Sequence, residues 1–254
     1  MIFEGMSHMS GHSKWSTIKR KKEKTDQQRA KIFTKIGREL AMVARSGGAD
    51  PSVNSKLKEV IAKAKTNNVP NDNIERIIKK AAGEDNADNY EEIAYEGYGP
   101  CGVAVIVETL TDNRNRTAAD LRHYFDKCGG NMGQPGSVMF MFERKGVIVI
   151  EGEGHNEDTV MEHALEAGAD DFNFDGDVFE IITEANSFSS VRDELEKKGY
   201  EFLSAEVAYV PSNISSIDDS EMSAKMEKLL DLLDDNDDVQ NVWHNWDMPE
   251  DDAE

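Results

Sequence analysis

No apolar run in the 254-residue chain approaches the ~20 residues that a membrane span requires. Nor does any segment near the start have the hydrophobic centre of a secretory signal. Cysteine is nearly absent. Cys101 and Cys128 stand in unrelated contexts without C-x-x-C spacing, so a disulfide framework is not expected. Two free thiols in a reducing, cytoplasmic setting are. The signatures of chemistry are missing too: no G-x-x-x-x-G-K-[ST] loop, no G-x-S-x-G, no H-E-x-x-H. His155 and His163 in "HNEDTVMEH" are eight residues apart, too far for a one-turn ligand pair. Cys128 precedes Gly129-Gly130 at a predicted helix end, where the dipole does not lower a thiol pKa. These absences argue against an enzyme and call for neither metal nor cofactor.

What the chain does have is charge, unevenly placed. The formal net charge is −21, yet residues 9–82 hold 18 Lys and Arg against 7 Asp and Glu, while residues 83–254 hold 11 against 42. Such asymmetry suggests a polyanion-binding module joined to a body with another task. Acidic residues that only keep the body soluble would explain the body, but not the basic module beside it. Residues 1–8 read as a tag or extended start, and residues 248–254 as an acidic tail.

Periodicity divides the chain further. A helix is expected from the "TDQQ" capping box to about Arg45, with Phe33, Ile36, Leu40, Val43 and Ala44 on one side and Lys31, Lys35, Arg38 and Arg45 opposite. Asp50 and Pro51 predict the start of a second helix whose apolar face is Val53, Leu57, Val60, Ile61 and Ala64. Ile74, Ile77, Ile78 and Ala81 mark a third, ending near Gly83. Residues 9–82 therefore read as a basic three-helix domain.

Beyond residue 90 the period shortens. "GVAVIVETL" (102–110) reads as a buried strand, and Thr117 with Asp120 as the cap of a helix to Cys128. "VMFMFERKGVIVIE" predicts two strands broken near Lys145-Gly146. Residues 146–209 spell β-α-β-β-α-β, the ferredoxin-like order, with a hairpin at Asp175-Gly176. The fold class is thus α+β: the helical domain, then two ferredoxin-like domains, one inserted into the other. The inserted domain covers 143–205, and the outer one 83–142 plus 206–247. Trp243 and Trp246 are expected in its core.

Binding candidates follow from charge. Lys14, Lys19, Arg20, Lys21, Lys22 and Lys24 on a basic arm, with Lys31, Lys35 and Arg38 on the helix ridge, suit phosphates, and Trp15 is available to stack on a base. A Lys-rich face is often merely solvated, but this one lacks the interleaved acidic residues of a solvated helix. A helix of this length extends ~33 Å. Acidic charges more than a Debye length of ~8 Å away are largely screened, so the body need not abolish binding. Arg114 and Arg116 in "TDNRNRT", at a helix start, together with the loop "YEGYGPCGV", are candidates for a second phosphate contact; a tight turn plus an ordinary cap is the plainer reading. No membrane partner is expected. A basic protein captured by the acidic body is an alternative to nucleic acid.

The stretches "GHSKWSTIKRKK", "NVPNDNIERIIKKA", "YEGYGPCGVAVIVETLTDNRNRT" and "GGNMGQPGSVMFMFERKG" resemble the YebC/PmpR family over about Met9 to Asp247. That family comprises bacterial probable transcriptional regulatory proteins and a mitochondrial relative that activates translation. The resemblance implies a helical N-terminal domain followed by two α+β domains, one interrupted by the other. It also implies either DNA-binding regulation of transcription or ribosome association, through ribosomal RNA, that relieves stalling on proline-rich stretches. Family members commonly carry Gly-Pro-Gly-Gly where this chain has Gly99-Pro100-Cys101-Gly102.

Overall fold

The computed structural model describes residues 26–83 and 90–249. Its first helix, α1, spans Asp26–Gly47. It buries Ile36, Leu40, Val43 and Ala44, the stripe that a 3.6-residue period selects. Gly48 follows at φ +91°, a left-handed exit that glycine adopts without strain.

The second helix begins later than its sequence suggests. Asp50 caps a turn instead, accepting from Ser52 N at 2.9 Å and Ser52 Oγ at 2.7 Å. Helix α2 runs Ser55–Thr66 with Asn54 as its N-cap. Asn54 prevails because its amide also donates to the carbonyls of Val43 (3.0 Å) and Gly48 (2.7 Å), joining the start of α2 to the end of α1. Val53, expected on the apolar face, is consequently 78% exposed. Helix α3, Asn71–Gly83, adds Ile74 and Ala81 to a core shared by the three helices.

The body continues as β1 (Glu91–Tyr98), β2 (Ala104–Thr111), α4 (Arg114–Lys127), β3 (Asn131–Met132) and β4 (Phe142–Glu151). Next come α5 (Glu157–Ala167), β5 (Asp171–Phe174), β6 (Val178–Glu184), α6 (Phe188–Lys197) and β7 (Phe202–Pro211), then α7 (Ser220–Asp235) and β8 (Val239–His244). The inserted sheet has the order β5-β6-β4-β7 with antiparallel pairs, the ferredoxin-like arrangement. Its hairpin turns at Gly176, φ +100°. Strand β7 stays paired with β4 through Pro211, so the chain returns to the outer domain beyond that residue rather than near 206.

The outer sheet, β3-β1-β2-β8, follows the same spatial plan with different connections. Its inner strand β1 precedes the β2-α4-β3 crossover, where the ferredoxin-like order would place it afterwards. This strand was hidden in "EEIAYEGY" because its glycine reads as a loop signal. A Cβ on Gly97 would lie 2.8 Å from the Asn131 carbonyl and from the Phe125 ring, so close packing of β1 on β3 and α4 requires glycine. The strand anticipated near 138–142 is a single helical turn, Met139–Met141, leading into β4. The anticipated break at Gly146 is absent as well. There a Cβ would meet Thr183 Oγ1 and Phe188, so this glycine admits a neighbour without ending the strand.

Both central strands are buried on both faces. Val103, Val105 and Val107 pack towards α4 and α7, while Ala104 and Ile106 face the other sheet. In β4, Ile148 and Ile150 face α5 and α6, and Val147 and Val149 meet Ile106, Trp243 and Phe142 between the sheets. The body is therefore helix, sheet, sheet, helix, with one apolar layer at its centre. Trp246 is fully buried and Trp243 is 7% exposed, as their context suggested.

Candidate nucleic-acid interface

Lys14, Trp15, Lys19, Arg20, Lys21, Lys22 and Lys24 lie outside the described residues. The remaining candidates are all placed, and four of them converge. Lys31, Lys35 and Arg38 project from one side of α1 towards the turn that joins α7 to β8. Lys31 Nζ lies 2.8 Å from Asp235 Oδ1. Lys35 Nζ donates to the Asp234 carbonyl at 2.7 Å, and Arg38 donates to the Asp237 carbonyl at 2.8 Å. The acidic partners missing from the helix itself are thus supplied by the body, from far along the chain. Separation does not keep the two charges apart here; they are in contact.

The fourth candidate reaches the same turn from the other side. Asn113, not Thr117, caps α4, its side chain accepting from Arg116 N. Thr117 is wholly buried one turn later, where its hydroxyl donates to Asp238 Oδ2 at 2.8 Å. Arg116 bridges Asp112 (2.8 Å) and Asp238 (2.7 Å), and Arg38 approaches Asp238 to 3.6 Å. Thr111 Oγ1 adds a further bond to Asp238 at 3.2 Å. Burial pushes the Asp238 carboxyl up, but the bonds from Arg116, Thr117 and Thr111 and the Arg116 charge outweigh it and hold the group below the usual carboxylate range. Arg116 is held charged by its two aspartates.

Arg114 is exposed, and its carbonyl accepts from Tyr95 Oη at 3.4 Å. The loop 99–102 cannot share a phosphate with it, because the loop opens β2 whereas "TDNRNRT" closes the same strand. Eight residues of strand put them about 25 Å apart. Within the loop Cys101 has φ +57°. A glycine there, as the family resemblance leads one to expect, would relieve left-handed strain, with no need to invoke close approach of a ligand.

Two further features escaped the sequence. Asp231, Asp234, Asp235, Asp237 and Asp238 crowd one short stretch, a local signal lost in the overall acidity. Glu96, 5% exposed, accepts from the backbone N–H groups of Gly136 (2.5 Å), Val138 (2.8 Å) and Met139 (2.7 Å), pinning the loop of "GGNMGQPGS". Burial raises its pKa, and these three donors bring it down below the ordinary value. His155 and His163 meet at Tyr200, whose hydroxyl lies 2.8 Å from His163 Nδ1. Among the described residues no group of three or more His, Cys, Asp or Glu side chains could hold a metal ion, and no helix is long and apolar enough to cross a membrane.

A basic helical module seated on an acidic double-sheet body has counterparts among known proteins. Residues 13–84 match the TACO1/YebC protein N-terminal domain, and residues 90–246 match the TACO1/YebC second and third domain. The chain belongs to the TACO1/YebC family. It is 61% identical over 239 residues to a probable transcriptional regulatory protein of Acetivibrio thermocellus, covering 94% of this chain and 99% of that one. Identity is 60% over 247 residues with a protein of the same description from Ruminiclostridium cellulolyticum, covering 97% and 100%. The crystal structure of a conserved hypothetical protein from Aquifex aeolicus superimposes with a TM-score of 0.81 at 42% identity, covering 91% of this chain and 95% of that one.

Proposed function

We propose that this chain is a regulator without enzymatic activity that binds DNA through its basic N-terminal domain and controls transcription. The observation that carries the reading is the segregation of charge, with 18 basic against 7 acidic residues in 9–82 beside a strongly acidic body. The relatives in Acetivibrio and Ruminiclostridium, named as probable transcriptional regulatory proteins, support the regulatory role. The arm from Lys14 to Lys24 makes the first phosphate contacts, and Lys31, Lys35 and Arg38 extend them along α1. If six phosphates are engaged on duplex DNA, affinity falls about a thousandfold between 50 and 200 mM salt.

The test is to crosslink the full-length protein to nucleic acid in growing cells, recover it under denaturing conditions and sequence what is attached. Discrete promoter fragments are expected. A concentrated ribosomal-RNA footprint with little DNA would replace this reading with a translation factor. Recovery of neither, with protein partners that survive nuclease treatment, would leave the acidic body as a protein-binding surface. Reversing the charges of Lys19, Arg20, Lys21 and Lys22 should weaken binding whichever nucleic acid is the target.

A further inference from the structure

The basic ridge of α1 is occupied. Lys31 and Arg38 retain only 34% and 26% of their side-chain exposure, and they meet carboxylate and carbonyl oxygens of the α7–β8 turn, with the Arg38 guanidinium also 5.8 Å from the centre of the Tyr90 ring. Lys35 caps the Asp234 carbonyl in the last turn of α7. A helix C-terminus carries roughly half a negative charge on carbonyls that lack partners in the helix. Aspartate carboxylates placed around it make a row of oxygens of the kind a phosphate backbone offers to lysine and arginine.

No buried apolar cluster among the described residues reinforces this contact. Among the described residues, no hydrophobic cluster spans the helical module and the body: one holds residues 32–81 alone, and the other three hold only residues of the body. Further ties at this joint are polar as well. Lys58 lies 2.5 Å from Asp193, and Ser189 Oγ lies 3.2 Å from Glu59. Partly exposed ion pairs are individually weak and fade with salt, whereas a buried apolar contact does not.

From this we infer that the α7–β8 turn is an internal mimic of nucleic-acid phosphate, which covers the Lys31–Lys35–Arg38 ridge in the unbound protein and is displaced when nucleic acid binds. The inference rests on the proposed nucleic-acid reading and adds its regulation. The unbound protein is closed, weak binding by the basic residues Lys14 to Lys24 comes first, and full binding requires the ridge to exchange one set of oxygens for another. The acidic body then acts as a threshold against weak, non-specific polyanions.

The 2.8 Å Lys31–Asp235 pair permits a direct test, since a carbodiimide joins an amine to a touching carboxylate without a spacer. The full-length protein is treated with carbodiimide alone, with a 20-base-pair DNA duplex and with a 20-nucleotide single-stranded RNA, and the Lys31–Asp235 link is quantified by peptide mass spectrometry. Binding is followed in parallel by mobility shift. We expect the link in the free protein and a fivefold or greater loss on binding. The variant Asp234→Asn/Asp235→Asn/Asp237→Asn should bind about tenfold more tightly. A control with the same net charge, Glu157→Gln/Asp158→Asn/Glu162→Gln on the exposed side of α5, should stay within twofold of the parent. A link that persists while the mobility shift shows bound nucleic acid would overturn the masking and leave the DNA-binding reading standing. Equal affinity of the parent and the turn variant, or equal gains in the turn variant and the control, would also overturn it. No binding of either probe by the turn variant at 50 mM salt would overturn the nucleic-acid reading itself, and the exchange with it.

Discussion

The two sheets of the body are joined to each other, and the helical module is joined to the body, by opposite means. Between the sheets, Ile106, Val147, Val149, Val178 and Trp243 form one buried apolar layer. Between module and body the described ties are ions, hydroxyls and carbonyls. Apolar burial is indifferent to salt and to competing anions, and ionic contact responds to both. The first joint fixes a scaffold; the second is one that a charged ligand is able to open.

The difference can be sharpened or broken by experiment. The largest effect belongs to the sheet joint. Ile106→Ala removes a fully buried side chain at a site closed on all sides, so a loss of about 2–5 kcal/mol in urea unfolding is expected, equal at low and high salt. A strongly salt-dependent loss would contradict the apolar account.

Beside the other joint, Asp238→Asn removes the carboxylate charge shared by Arg116, Thr117, Thr111 and, across the joint, Arg38. A cost of about 1–3 kcal/mol at pH 7 is expected. The sign of its pH dependence follows from the lowered pKa of Asp238 in the fold. The stabilisation is complete above the unfolded value of about 3.9, and is lost as pH falls through the still lower folded value. Urea midpoints of parent and variant should therefore converge as the pH is lowered below the unfolded value, and a gap that does not narrow with acidification would deny that the charge is responsible.

Lys63 tests the joint from within the module. Burial opposes its charge, yet Glu39 at 2.9 Å, with Glu206 and Glu108 from the two sheets, keeps the ammonium above its ordinary pKa. Lys63→Met should accelerate amide exchange across α1 to α3 several-fold while leaving β2 and β4 unchanged. A uniform acceleration throughout the chain would mean that the module and body open together, and that the two joints are not independent.

The smallest effect lies away from both joints. Cys101→Gly relieves left-handed strain of ~1–2 kcal/mol and adds unfolded-chain entropy worth ~0.5–1, so a net gain of about 0–1.5 kcal/mol is expected. Native thiol titration should find Cys101 reactive and Cys128, buried and pushed up in pKa by that burial, slow.

Much of this architecture can be read along the chain. The stripe of Ile36, Leu40 and Val43, the buried run around Val105, and the β-α-β-β-α-β order from β4 to β7 follow from local period alone. Local signals misled where a distant contact decided the outcome. Gly97 and Gly146 look like breaks but make room for Phe125 and Phe188. Asp50-Pro51 looks like a helix start, but Asn54 takes the role because it also reaches Gly48.

By itself, the sequence determined the fold class, the position of the helices and the existence of a basic ridge, because periodicity and net charge are properties of neighbouring residues. Only the tertiary structure decided what the ridge faces. Lys31 and Asp235 are 204 residues apart, and no spacing rule connects them. They meet because the packing of the body sets the end of α7 at an acidic edge, and polar ties seat α1 against it, where opposite charges gain from touching.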